Sequence, residues 1–229
     1  MKKIFSISLI AAFTCFMFAN VQVSAQKSKA FAGTVKFHVK YEGDTDPQKH
    51  VPQDYMVTIF GNKMKQLYYE GQLIAISDCN ALTTIVLYNI PGYQIGYIDT
   101  AEKYDSETSN TKLTFTEGTD TKTICGYVCK RYDVTIYDKE EDEETALIVY
   151  TTTEIGENNN INAMSLSGLT GYPLYMEVES DGIKRITEAT EVKATKIKAV
   201  DFMIPSSYKI MSQEEVYETL QTLMGGGGE

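Results

Sequence analysis

Val35, Phe37, Val39 and Tyr41 alternate with Lys36, His38 and Lys40 in the stretch GTVKFHVKYE. A period of two places the apolar set on one side of an extended chain and the charged set on the other, which describes a half-buried strand. The pattern recurs in DYMVTIF, KMKQLYY, QLIAISD, ALTTIVLYN, YQIGYID, KLTFTE, the long run Tyr127 to Tyr137, and TALIVYTTT. Gly61-Asn62, Cys79-Asn80 and Pro91-Gly92 stand between the runs, and such residues favour turns. Short alternating runs separated by turns describe one antiparallel sheet.

Three segments depart from the alternation. DKEEDEE, residues 138–144, is acidic but lacks the spaced ligands and bending glycine of a calcium loop, so it reads as a solvated hairpin loop. GENNNINAMSLSG, residues 156–168, reads as a crossing loop with a short helical turn. A long hairpin follows, with Asp181-Gly182 as its two-residue turn. At the end, Ser212 and Glu215 form a capping box, and Val216, Leu220 and Leu223 share one helical face. The predicted architecture is mainly β: a single curled antiparallel sheet or half-barrel of about ten strands with one or two helices. The half-barrel domain spans residues 26–211, the C-terminal helix 212–224 and a flexible Gly-rich tail 225–229.

Residues 1–25 read as a signal peptide. Lys2 and Lys3 precede an apolar run from Ile4 to Phe18, and Val23-Ser24-Ala25 supplies the small residues for cleavage before Gln26. The run is shorter than the roughly 20 residues that span a bilayer, and no later segment is longer, so no transmembrane segment is expected after cleavage. Cys15 lies inside the apolar run, away from the position a lipidated cysteine takes. The expected address is the periplasm of a Gram-negative cell, with association to the outer membrane possible on the same signal. The full chain has a net charge of −10, and the leader takes two lysines with it. Such an acidic chain is a poor partner for nucleic acid. It has 16 Tyr and no Trp, which suits half-exposed sheet faces and equally reflects plain strand propensity.

Catalytic signatures are missing. His38 and His50 stand away from any second ligand at metal spacing, SLSGLTG is not a nucleophile elbow, and no Gly-rich loop opens a helix. The expectation is a protein with no enzymatic activity, no cofactor and no metal. Three cysteines remain after the leader: Cys79, Cys125 and Cys129. An oxidising compartment favours pairing, with one left over. On one extended strand Cys125 and Cys129 would sit about 13 Å apart, beyond the roughly 7 Å a disulfide tolerates. A bond between them needs a turn at Gly126. A three-residue loop sets them face to face. A two-residue loop sets Cys129 opposite Lys122, from where it could reach Cys79. The local pair is the favoured expectation.

TKTICGYVCKRYDV resembles the I-x-G-Y-x-C-x-x-Y hairpin of exported Bacteroidetes proteins of unknown function in the lipoprotein-carrier-like superfamily. IVYTTTEIG with LSGLTGYPLYMEVESDG is similar to their strand, crossing loop and following strand, and KATKIKAVDFMIPSSYKIM resembles their closing segment. Cys125 is an addition to that pattern, and Gly168 to Leu174 departs from the Gly-Leu-Pro-Gly-Leu-Ile run of one related family. The resemblance implies a half-barrel wrapped around a helix with an apolar concave face. The resemblance carries a fold and an address, not a substrate. The exported address, the curled sheet with Tyr-rich faces and the lack of catalytic signatures lead to the expectation of a periplasmic binding or carrier protein for an apolar ligand such as a lipid or acyl chain, with Met164, Leu166, Leu169 and Tyr172 as candidate lining residues. The alternative is a non-catalytic envelope interaction or assembly module with a filled core and a protein partner.

Overall fold

The computed structural model describes residues 31–43, 46, 53–100, 110–155, 166, 168–180 and 182–225. Residues 1–25, read above as a signal peptide, and His50 lie outside them. Among the described residues twelve strands form one open, curled sheet. They are β1 (Ala32–Gly43), β2 (Gln53–Phe60), β3 (Lys63–Tyr68), β4 (Leu73–Asp78), β5 (Thr83–Ile90), β6 (Tyr93–Thr100), β7 (Thr111–Ile124), β8 (Tyr127–Asp138), β9 (Glu143–Thr152), β10 (Tyr172–Ser180), β11 (Ile183–Ala194) and β12 (Lys209–Ile210). The spatial order is β12-β6-β5-β4-β3-β2-β1-β11-β10-β9-β8-β7. One helix, α1 (Gln213–Gly225), closes the chain, and no helix here is long and apolar enough to cross a membrane.

Local chemistry accounts for the connections. Gly61 and Gly92 adopt the left-handed conformation (φ 61° and 82°) that their tight turns require. Ser180 pairs directly with Ile183 around Gly182, as the Asp-Gly signal predicts. The acidic run is a solvated hairpin loop: the Asp138 carboxylate accepts the N–H groups of Glu140 and Glu141. At the start of α1 the Glu215 N–H donates to Ser212 Oγ at 3.2 Å while Glu215 Oε2 accepts the Ser212 N–H at 2.9 Å, the reciprocal capping box.

The sheet departs from expectation in one strand: β12 runs parallel to β6, pairing Lys209 with Ile95 and Ile210 with Gly96. Two residues carry too short an alternation to be read from sequence, and the Met211 N–H extends their pairing by donating to Gly96 O.

Residues directly opposite each other in a sheet share a face. The row Phe37–Tyr55–Tyr68–Leu73–Tyr88–Ile95 therefore lies on one side, which is the concave face. Helix α1 sits on that face, with Val216 fully buried against Ile95, Tyr97, Val86 and Tyr88. It covers β5 and β6 alone, so the sheet does not wrap around it as the resemblance implies. The opposite face of β4 and β5 is covered too. Ile197, Phe202, Ile204 and Tyr208 pack on Ile74, Ile76, Ile85 and Leu87. At the other end the tip of the β7–β8 hairpin projects beyond β9 and meets β11. Cys125 Sγ donates to Ala189 O at 3.3 Å, and Lys122 Nζ stands 3.8 Å above the Tyr175 ring and 3.6 Å from Glu188. A strand pair that reaches β11, beyond β9 and β10, shows how tightly this half curls.

Candidate functional site

The concave face of the β8–β11 half is filled. Leu166 and Leu169 come down from the crossing loop onto Val134 and Val149, and Leu169 is fully buried. Tyr172 is buried beside Phe37, with ring centroids 6.5 Å apart, and joins Leu174, Val35 and Val57 in the largest core cluster. Burial pushes its hydroxyl pKa well above the ordinary value. Three of the four candidate lining residues therefore pack as core, and Met164 lies outside the described residues.

The cysteines depart from the favoured pairing. Cys125 (φ 50°) and Gly126 (φ 86°) are the two central residues of the β7–β8 turn, Ile124 pairs with Tyr127, and Cys129 pairs with Lys122. Two left-handed residues in succession match the twist of the flanking strands, and this selects the two-residue loop. No disulfide joins Cys79, Cys125 or Cys129. Cys79 and Cys129 share the main core cluster, where burial pushes both thiols up to about 11. Thiols so placed stay protonated at neutral pH and make poor nucleophiles.

Open space lies elsewhere. A groove of about 390 Å³ runs between β1, β2 and the loop joining β3 to β4. Phe37, Tyr55, Met56 and Leu67 give it an apolar lining, and Lys36, Asp54, Glu70 and Thr190 are its polar members. Three features shape it. Behind it, on the sheet face opposite Met56 and Leu67, Phe37 stacks on Tyr55 at 5.0 Å and Tyr55 on Tyr68 at 5.1 Å, a rigid run of three rings across β1, β2 and β3. A β-bulge inserts Thr190 where Lys36 pairs with Glu191 and Phe37 with Ala189. Bulges re-aim side chains beside sites. Finally, Tyr69 (φ 49°) and Glu70 (φ 56°) are consecutive left-handed residues other than glycine, followed by Gly71 at 89°. Each non-glycine costs about 1 kcal/mol or more in that region, and such strain gathers at binding sites.

Electrostatics around the groove are unbalanced. Lys36 Nζ lies 3.6 Å from Glu191. The His38 Nδ1 atom is 2.7 Å from Asp54 Oδ1, so His38 has a polar partner across β1 and β2. Glu70 is exposed and makes no ion pair among the described residues. Desolvation raises the Tyr55 and Tyr68 hydroxyl pKa values, so both remain neutral hydroxyls. Sequence reading missed the groove. The alternation of β1 and β2 gives no sign of which apolar row stays uncovered. The YYEG loop, with one glycine serving three left-handed positions, was the available signal.

No family model matches the chain, and no curated protein matches it. Among solved structures it overlaps the hypothetical lipoprotein YmcC from Escherichia coli at 9% identity and a TM-score of 0.35, covering 71% of this chain and 89% of that one. It overlaps LprF from Mycobacterium bovis at 9% identity and a TM-score of 0.32, covering 72% and 88%. Overlaps this slight carry no inference about ligand or role.

Proposed function

We propose that the chain is an exported, non-catalytic binding protein that takes an apolar ligand in the groove between β1, β2 and the β3–β4 loop, outside a solid core. One contrast carries this reading: Leu169 and Leu174 are fully buried on the filled side, whereas Met56 and Leu67 stay half-buried beside open space. The volume falls within the range of small-molecule sites. Export rests on the N-terminal apolar run and Val23-Ser24-Ala25. The periplasm is the compartment this signal supports, and a lipid or acyl chain is the ligand class that the address, the curled sheet and the lack of catalytic signatures support.

The test is a fluorescence titration of the mature protein with the neutral apolar dye N-phenylnaphthylamine. Saturable binding that Leu67→Trp abolishes without lowering Tm is the expected result. Absence of saturable binding overturns the reading. So does binding that survives Leu67→Trp and disappears in Leu169→Ala.

An envelope assembly module is the second reading, favoured by the same filled core and by Val200 and Met203, which are exposed on either side of the buried Phe202. A stoichiometric protein captured from envelopes by the wild type and lost in a Val200→Asp, Met203→Asp variant supports it.

A further inference from the structure

The groove is apolar in body and acidic at its edge. Among the described residues its lining includes Asp54 and Glu70 against one cation, Lys36, and Lys36 already faces Glu191. The partner of Asp54 is His38, whose Nδ1 lies 2.7 Å from Asp54 Oδ1. Glu70 has no cation partner among the described residues. Among the described residues the lining thus carries two carboxylates to one ammonium, with Glu70 outside any ion pair, beside an apolar trough on a chain whose net charge is −10. Glu70 is also held by strain: it and Tyr69 sit at positive φ, and Gly71 completes the tight loop that carries the carboxylate to the groove. An apolar trough with unbalanced negative charge favours an apolar body that ends in a cation, and it disfavours an anion of the same length.

We infer that the groove selects lipophilic cations: a small apolar body beside Tyr55, Met56 and Leu67 with a protonated amine near Asp54 and Glu70. This rests on the binding role proposed above and adds the charge of the ligand. It also separates the groove from a fatty-acid site, where a carboxylate headgroup would meet Asp54 and Glu70 unfavourably.

Octylamine, octanol and octanoate share one apolar chain and differ in charge. Each is titrated against the mature protein at neutral pH and low salt, by displacement of N-phenylnaphthylamine and by calorimetry. The expected order is amine, then alcohol, then carboxylate, with the amine about fivefold tighter than the alcohol, as suits one or two exposed charge contacts. Asp54→Asn with Glu70→Gln should close the gap between the amine and the alcohol. Added salt should narrow the gap in the same way. Octanoate binding as tightly as octylamine, or an amine preference that survives the double substitution, overturns the charge inference while the binding role stands. Failure of all three ligands to bind overturns the binding role itself. Both substituted side chains are exposed, so circular dichroism and Tm should match the wild type.

Discussion

The two halves of this sheet handle the same alternating pattern in opposite ways. In the β8–β11 half, the inward row is sealed by the crossing loop, and Leu169 has no exposed surface. In the β1–β3 half the inward row is as dry, with Val35, Val57 and Ile59 at 1% exposure or less, but the outward pair Met56 and Leu67 borders a groove of about 390 Å³. The difference is whether a later segment of the chain arrives to cover the row, as it does over Ile74 and Leu87 on that same outward face. An apolar strand face is therefore core or ligand surface according to connectivity, and strand periodicity alone is silent on which.

The sharpest way to break this contrast is Leu169→Ala. A packed core residue loses about 2–5 kcal/mol on truncation, measured by chemical denaturation. A loss below about 1 kcal/mol, accompanied by altered dye binding, would show that Leu169 faces a ligand space. Next in size is Ser212→Ala, which removes a cap whose hydroxyl accepts the Glu215 N–H. It should cost about 1 kcal/mol and loosen α1 from Tyr97, detectable as faster amide exchange in β6. Leu67→Ala should cost less than a fully buried leucine, below about 2 kcal/mol, because Leu67 is only half-buried, and should weaken dye binding instead.

The smallest effect concerns pH. The Glu177 carboxyl is held below its ordinary value by the Lys184 ammonium and then by the Tyr175 hydroxyl. A depressed carboxylate contributes stability that is complete above its unfolded pKa and is lost as pH falls through the ordinary carboxylate range to the folded value. Glu177→Gln should flatten the acid limb of the Tm–pH curve by a small amount, since the pair lies near the surface. An unchanged acid limb would show that the pair contributes nothing there.

Much of the sheet was legible because local signals agreed with it. The alternation in Val35, Phe37 and Val39 placed β1, the Asp-Gly pair placed the β10–β11 turn, and Ser212 with Glu215 placed the start of α1. Legibility failed where two local solutions were close in energy or where distance along the chain decided. Cys125-Gly126 permitted both a two-residue and a three-residue loop, and the strand twist selected the former. The two residues of β12 have no period to read. The groove is bordered by a bulge at Thr190, far in sequence from Met56, and of its parts only the YYEG loop left a local signal.

The C-terminal segment grips β4 to β6 from both sides, with the Ile197–Tyr208 stretch on one face and α1 on the other. Its contacts span long separations: Lys65 Nζ reaches Asp201 O across 136 residues, and the Tyr97 and Tyr217 hydroxyls meet across 120. Strands made early in synthesis therefore wait for the end of the chain before either face is dry. Folding of this half is thus a late event, and residues 197–225 act on β4 to β6 as a clasp whose closure dries both faces together.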